Sequence, residues 1–417
     1  MRVLLISANT ETMNMVALPL GLASVAAAVR AAGHEVMFLD LLFQQDARTA
    51  IRRAAGEFRP DAIGLSIRNI DDQKMQDGKF LLEPMRAIVS ACREVIRAPI
   101  ILGGAGYSIF PESCLRYLGA DLGVQGEGEA ILPLLLERLA RSDPLTDLPG
   151  VYLPGRAPSS RSFVGDLDSL PLPEPELWIP PGGNPGDLFI PVQTRRGCPL
   201  DCSYCSTATI EGRPVRSRSP RKVVDWLVRL SRAGYRNFNF VDNTFNLPAA
   251  YATELCRGIV DAAIDIRWWC IVYPKWVDRP LVELMARAGC RQVSLGFESG
   301  SEQTLMSMNK KFHPEEVRTI SELFRESGIE RRGFLLLGGP GETHQTAEES
   351  LAFAGSLQLD YLKVSVGIRI YPGTQLAASA LADGLIAAED DLLRPRYYVR
   401  PELREWLLAR AASAGTT

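Results

Sequence analysis

Apolar and polar positions along the chain predict alternating strands and helices in two blocks. Between residues 1 and 141, short apolar runs at 3–7, 35–39, 62–67, 100–103 and 122–124 are separated by stretches with helical spacing, notably 21–32 and 84–96. Nearly continuous apolar strands alternating with helices predict a parallel sheet covered on both faces. Such a Rossmann-like (flavodoxin-like) α/β domain binds ligands in the crevice at the carboxyl ends of its strands. Residues 142–186 are rich in proline and glycine, cannot continue a helix, and read as an extended linker. A second alternation follows, with strands at 188–194, 237–241, 267–272, 292–297, 333–337 and 362–370, and helices between them. Six strand–helix units over 187–375 predict a partial (β/α)6 barrel, whose chemistry belongs at the strands' carboxyl ends by analogy with the full barrel. Residues 376–417 read as a short helical region.

Length and charge narrow the function classes. A chain of 417 residues supports two or three domains, and a formal charge of −3 gives no sign of a nucleic-acid binder. The first residues read as a strand, without the pattern of a secretion signal, and no stretch is apolar enough to suggest a membrane span. The expected location is the cytoplasm. There a disulfide framework is not expected from the eight cysteines.

Three of those cysteines need a chemical explanation. The segment TRRGCPLDCSYCS spaces Cys198, Cys202 and Cys205 as C-x3-C-x2-C directly after a predicted strand. Three thiolates can hold three irons of a 4Fe–4S cluster and leave the fourth iron open to an outside ligand. A structural zinc site wants a fourth protein ligand. The chain's histidines, His34, His313 and His344, lie far from the loop in sequence.

This loop resembles the signature of the radical SAM superfamily, over roughly residues 187–375. The resemblance implies that the open iron is chelated by S-adenosylmethionine (SAM), which is cleaved to a 5′-deoxyadenosyl radical by one electron from an external donor such as flavodoxin or ferredoxin. Tyr204 fills the aromatic position before the last cysteine. By position, Asp242 and Asn243 in FVDNTFN and Glu298 and Ser299 in LGFESGS would contact SAM. Gly338 and Gly339 in LLLGGPGET would admit the adenosyl group closely.

Residues 1–141 resemble the cobalamin-binding domain that precedes many radical SAM domains. The matching pieces are ALPLGLASVAAAVRAAGHEVMFLD, DAIGLSIRN, IILGGAGYSIFPE and VQGEGEA. The resemblance places Ser66, Arg68, Asn69, Gly103, Gly104, Gly106, Gly126, Glu127 and Gly128 near the cofactor, with the glycines giving room to its nucleotide tail. The D-x-H-x-x-G motif that supplies a lower histidine to cobalt is absent, and His34 precedes the second strand, at the wrong end. Arg68 cannot ligate cobalt, because a guanidinium has no free lone pair. It either lies beneath the corrin or is a rim residue, solvated or paired with Asp71 or Asp72.

The other cysteines read as core residues, with Cys270 the one that could face the barrel interior. Without a second cysteine cluster, a methylthiotransferase is disfavoured. Candidate substrate groups are Trp269, Tyr273 and Lys275, together with Arg369 and Tyr371, which strand alternation places on one face. The resemblance implies an enzyme, most plausibly a C-methyltransferase. Methylcobalamin would supply the methyl group, the radical would abstract hydrogen, and a second SAM would restore methylcobalamin. The same cofactors also serve ring contraction, cyclisation, oxidation or polar methylation of a nucleophilic carbon, and a non-enzymatic cobalamin sensor is a remote alternative. The expected substrate is a small molecule of specialised metabolism.

Overall fold

The computed structural model describes residues 1–12, 16, 18–158, 160–180 and 188–413. It divides into two units: Met1–Gln73, Asp77–Gly183 and Ala208–Gly212 form one, and Lys74–Gln76, Asn184–Thr207 and Arg213–Thr417 the other.

The amino-terminal unit is built on strands β1 (Arg2–Ser7), β2 (Glu35–Asp40), β3 (Ala62–Ser66), β4 (Ile100–Gly103), β5 (Leu122–Val124) and β6 (Val151–Tyr152), in the order β2-β1-β3-β4-β5-β6. The first five are parallel and β6 is antiparallel to β5. Val3, Leu5, Val29, Ala62, Leu135 and Leu136 lie in one buried core, so β1 and β3 are packed against the crossover helices Leu20–Ala31 and Gly128–Arg141. Burial of this kind contributes roughly 25 cal/mol for each Å² of apolar surface removed from water.

Residues 142–180 do more than connect. Their prolines bar a helix but not an edge strand, since an edge tolerates a missing N–H. Leu148, Val151, Leu167, Leu170, Trp178 and Ile179 are all buried, so the segment folds back onto the amino-terminal unit as β6 and a short helix, Pro175–Trp178.

The second unit carries strands β7 (Phe189–Val192), β8 (Arg195–Arg196), β9 (Arg216–Ser217), β10 (Asn237–Phe240), β11 (Arg267–Val272), β12 (Cys290–Glu298), β13 (Glu330–Leu337), β14 (Tyr361–Val366), β15 (Ile368–Arg369) and β16 (Tyr397–Tyr398). Six of them form a parallel sheet, β14-β13-β12-β11-β10-β7, which is the expected partial barrel. The last predicted strand stops early. Gly367, at φ +79°, breaks it after Val366, and Ile368–Arg369 pairs instead with Tyr397–Tyr398 in an antiparallel ribbon. Among the described residues, no helix is long and apolar enough to cross a membrane.

Candidate active site

The cysteine loop leaves the carboxyl end of β7 through a turn pinned by Asp242. This carboxylate is 2% exposed and accepts hydrogen bonds from the Thr194 backbone N–H (2.7 Å), the Thr194 hydroxyl (2.6 Å), the Arg195 backbone N–H (2.9 Å) and the Arg195 guanidinium (3.0 Å). Arg195 also donates to the carbonyls of Phe245 (2.7 Å) and Leu247 (3.2 Å). The sequence assigned Asp242 to the SAM amino group; in the structure its oxygens accept from residues 194 and 195. Asp242 positions the root of the loop, and the neighbouring Asn243 is half-buried.

Beyond that root, Cys198 and Cys202 are half-buried and Cys205 is exposed, and none of the three is in a disulfide. Backbone bonds anchor the loop: Ser203 N–H donates to the Met308 carbonyl (3.0 Å), Leu376 N–H donates to the Ser203 carbonyl (2.8 Å), and Cys205 N–H closes a turn on the Cys202 carbonyl (3.2 Å). Among the described residues, no three His, Cys, Asp or Glu side chains are gathered as a shell for one metal ion. A cubane makes no such demand, since each of its cysteines binds a different iron. Three accessible thiols on an anchored loop fit such a cluster.

Tyr204 ties this loop to the end of β12. Its hydroxyl donates to Glu298 Oε1 at 3.0 Å, and the Lys310 ammonium lies 3.3 Å from the same oxygen and 5.3 Å from the Tyr204 ring centre. Glu298 is 9% exposed and so is not a surface acid. It sits at φ +63° where the β12–β13 register shifts, and a Cβ on Gly296 would lie 3.0 Å from its carboxylate. Left-handed backbone at a non-glycine residue costs about 1–3 kcal/mol and gathers at functional sites. Burial opposes the Lys310 ammonium, but Tyr204 and Glu298 outweigh it and raise its pKa, so Lys310 stays charged. Sequence reasoning missed Lys310, because nothing in MNKK distinguishes a buried lysine from its exposed neighbour.

Ser299 does not face outward. It is fully buried, its hydroxyl 2.7 Å from that of Ser350, and it accepts from the Ser301 N–H. Gly338, at φ +100°, and Gly339 are each crowded by the protein itself: a Cβ would lie 3.0 Å from Val399 and from Met308, respectively. Their loop is held by Glu342, which sequence reasoning also missed. Glu342 is 2% exposed and accepts from the Gly338 N–H, and its Oε1 is buried without a hydrogen-bond partner. Burial pushes its pKa up to about 7, against the pull of the Gly338 and Gly339 N–H groups.

In the amino-terminal unit, the expected cobalamin residues separate into two groups. Gly104 (φ +99°) and Gly106 make room for the protein's own chain. A Cβ on Gly104 would lie 2.5 Å from the Ile67 carbonyl and one on Gly106 3.0 Å from that of Arg68, while Gly106 N–H donates to the Ile67 carbonyl (3.0 Å). Gly128 admits Val25 in the same way. Gly126 (φ +90°) faces the Arg161 guanidinium, and Glu127 is buried, accepting from the Val164 N–H at 2.6 Å. These five are packed against the protein's own chain, with residues 161–164 lying beside Gly126 and Glu127. Ser66, Arg68, Asn69 and Gly103 are the other group. Ser66 and Asn69 are half-buried, and a Cβ on Gly103 would meet only the Val124 carbonyl at 3.8 Å. Arg68 is exposed, with no hydrogen-bond or ion-pair partner among the described residues. The salt bridge to Asp71 or Asp72 is therefore not formed. An unpaired guanidinium beside an uncrowded glycine at the ends of β3 and β4 fits a corrin. His34 lies at the opposite strand end, 3.2 Å from the amino terminus.

The candidate substrate residues are mostly engaged. Trp269 is half-buried and stacks on Phe189 at 3.8 Å. Tyr273 accepts from the Lys311 N–H (2.8 Å), and Lys275 donates to the Lys311 carbonyl, so both brace residues 309–312. Arg369 is 5% exposed and donates to the carbonyls of Ile370 (2.6 Å) and Leu392 (2.8 Å), with its guanidinium 5.1 Å from the Tyr371 ring centre. Early termination of β14 turned Arg369 into the ribbon, away from the barrel-strand face on which alternation placed it. Cys270 is buried against Cys290, and burial raises its thiol pKa, which makes it a packing residue.

Comparison with known proteins agrees with this division. The radical SAM superfamily matches residues 192–354, and the B12 binding domain matches residues 6–136. An uncharacterized methyltransferase of Pyrococcus horikoshii is 27% identical over 88% of this chain and 79% of its own length. Tryptophan 2-C-methyltransferase of Streptomyces laurentii is 26% identical over 87% of this chain and 72% of its own. The solved structure of the radical SAM methyltransferase TsrM from Kitasatospora setae, with tryptophan and a SAM analogue bound, has the same fold: TM-score 0.86, 23% identity, covering 99% of this chain and 89% of that one. With both domains present in this order, the chain belongs to the cobalamin-binding-domain-containing radical SAM enzymes, whose cofactors are a 4Fe–4S cluster, SAM and cobalamin.

Proposed function

We propose that this enzyme is a C-methyltransferase acting on a small molecule of specialised metabolism. The observation that carries the reading is the Tyr204–Glu298–Lys310 contact, which joins an accessible three-cysteine loop to a buried acid at the strand ends of the barrel. The second support is the likeness to methyltransferases over most of the chain. When bound, the cluster and SAM supply a carbon-radical generator and cobalamin supplies a methyl donor.

The chain's own residues bind and orient. Cys198, Cys202 and Cys205 would hold the cluster, with Asp242 fixing the root of their loop. Glu298, Asn243 and the Gly338–Gly339 loop would hold SAM, with Lys310 paired to Glu298. Ser66, Asn69 and Gly103 would face the corrin, with Arg68 beneath it in place of a histidine. An external donor such as flavodoxin or ferredoxin would supply the electron, and the cytoplasm is the compartment where such a thiol set stays reduced.

The test is incubation of reconstituted enzyme with methyl-labelled SAM and an extract of small metabolites, followed by identification of the labelled product. Radical methyl transfer yields 5′-deoxyadenosine and S-adenosylhomocysteine together. Deoxyadenosine alone would replace the reading with rearrangement or oxidation, and S-adenosylhomocysteine alone with polar methylation.

A further inference from the structure

With Arg369 held in the ribbon, the inner wall of the sheet carries Arg332, Lys363 and, at the amino end of β11, Arg267. Three contacts define the helix-facing side of the sheet. Trp268 Nε1 donates to the Ala288 carbonyl (2.7 Å), Phe297 packs edge-on against Phe353 (5.8 Å), and the buried Arg331 donates to Asp360 (3.3 Å) and to the Gln358 carbonyl (2.8 Å). Since side chains alternate along a strand, Trp269, Ile271, Arg332, Phe334 and Lys363 point to the opposite, inner side. The register sets Ile271, Ser294, Arg332 and Tyr361 in one row across β11 to β14, with Phe334 beside Lys363 in the next.

Arg332 is exposed, and its one recorded neighbour is the Tyr361 ring, 5.3 Å from the guanidinium. Lys363 is half-buried and, among the described residues, has no hydrogen-bond or ion-pair partner. On the inner positions of β10 to β14 the carboxylates are Glu330, at the amino end of β13, and Glu298, at the carboxyl end of β12, where it is paired with Lys310. Apolar side chains line the same wall: Ile271, 46% exposed, in the row of Arg332, Phe334 beside Lys363, and Leu336 above them next to Ser365. Two unpaired cations on a concave wall focus a positive potential, and a guanidinium fork matches a planar or tetrahedral oxyanion.

We propose that Arg332 and Lys363 form an oxyanion subsite that takes a carboxylate or phosphate group of the substrate. The inference rests on the reading of the barrel as the place of methyl transfer. Lys363 stands three residues before the end of β14, about 10 Å below the strand ends at the usual rise per residue. The subsite therefore selects a substrate whose anionic group lies on the order of 10 Å from the reacting carbon, with an apolar body between them.

Phenylglyoxal labelling of the reconstituted holoenzyme tests this, with cobalamin and a SAM analogue bound so that other anion sites are filled. Mass spectrometry should find Arg332 labelled and the buried Arg195 and Arg369 protected. Sodium phosphate and sodium acetate, in separate titrations at fixed ionic strength, should slow labelling of Arg332 saturably, and the more protective anion identifies the group. Lys363→Met should raise the protecting concentration about tenfold or more, the effect of losing one charge-assisted contact. Labelling of Arg332 that neither anion slows, or protection unchanged in Lys363→Met, overturns the proposal. A failed methyl-transfer assay leaves this readout untouched, so the two readings fail separately.

Discussion

Replacing Asp242 by asparagine separates a positioning role from a SAM-binding one. In the wild-type protein the carboxylate and the Arg195 guanidinium are 2% and 3% exposed and 3.0 Å apart. The substitution removes the charge and turns an amide N–H2 toward donors that need acceptors. Removing one partner of a buried pair typically costs about 3–5 kcal/mol, because the other charge stays buried without compensation. Lost bonds from the Thr194 and Arg195 N–H groups fall within the same local network and do not simply add. With urea slopes of about 1–3 kcal/mol per molar, the unfolding transition that includes the barrel should shift down by roughly 1 M or more. Anaerobic urea titration followed by tryptophan fluorescence measures this. In protein that remains folded and loaded with iron, SAM affinity should change little. A wild-type urea midpoint combined with a tenfold loss of SAM affinity would refute the positioning argument and restore Asp242 as a ligand contact.

Other outcomes follow from the same structure. The triple change Cys198→Ala, Cys202→Ala and Cys205→Ala should abolish binding of about four irons per chain, whereas single changes at Cys92, Cys114, Cys256 or Cys290 should spare it, as read by iron content and optical spectrum. Paramagnetic resonance of the divalent-cobalt form should show no nitrogen splitting in the wild-type protein and nitrogen splitting in Arg68→His; splitting in the wild type would mean that a histidine does reach cobalt. For Glu342 the folded-state pKa of about 7 lies above the ordinary 4.5, so the folded state holds the extra proton between these values. Stability from this group is therefore present at low pH and lost as pH rises toward 7. Glu342→Gln should become more stable relative to wild type between pH 5 and 7.5 in denaturant titrations, and a constant difference would count against a buried neutral carboxyl.

The layout of both domains was legible in the sequence because it rests on local signals. Continuous apolar runs such as those of β1 and β3 can only be strands buried on both faces, and helical spacing between them dictates parallel crossovers. The cysteine loop stood out for a similar reason: three candidate ligands within eight residues need no tertiary structure to meet. What the sequence left open were roles set by long-range partners. Asp242 and Glu298 are both acids after barrel strands, yet one meets Thr194 and Arg195 while the other meets Tyr204 and Lys310. Gly104 and Gly103 are adjacent glycines, but only Gly104 is crossed by the backbone of Ile67. Arg369 lies in the ribbon because Gly367 ended the barrel strand, and strand alternation carries no information past such a break. Periodicity reports which face of an element is apolar. Which charge finds which partner depends on how distant segments meet, because a buried polar group is stable only where the fold supplies its counterpart.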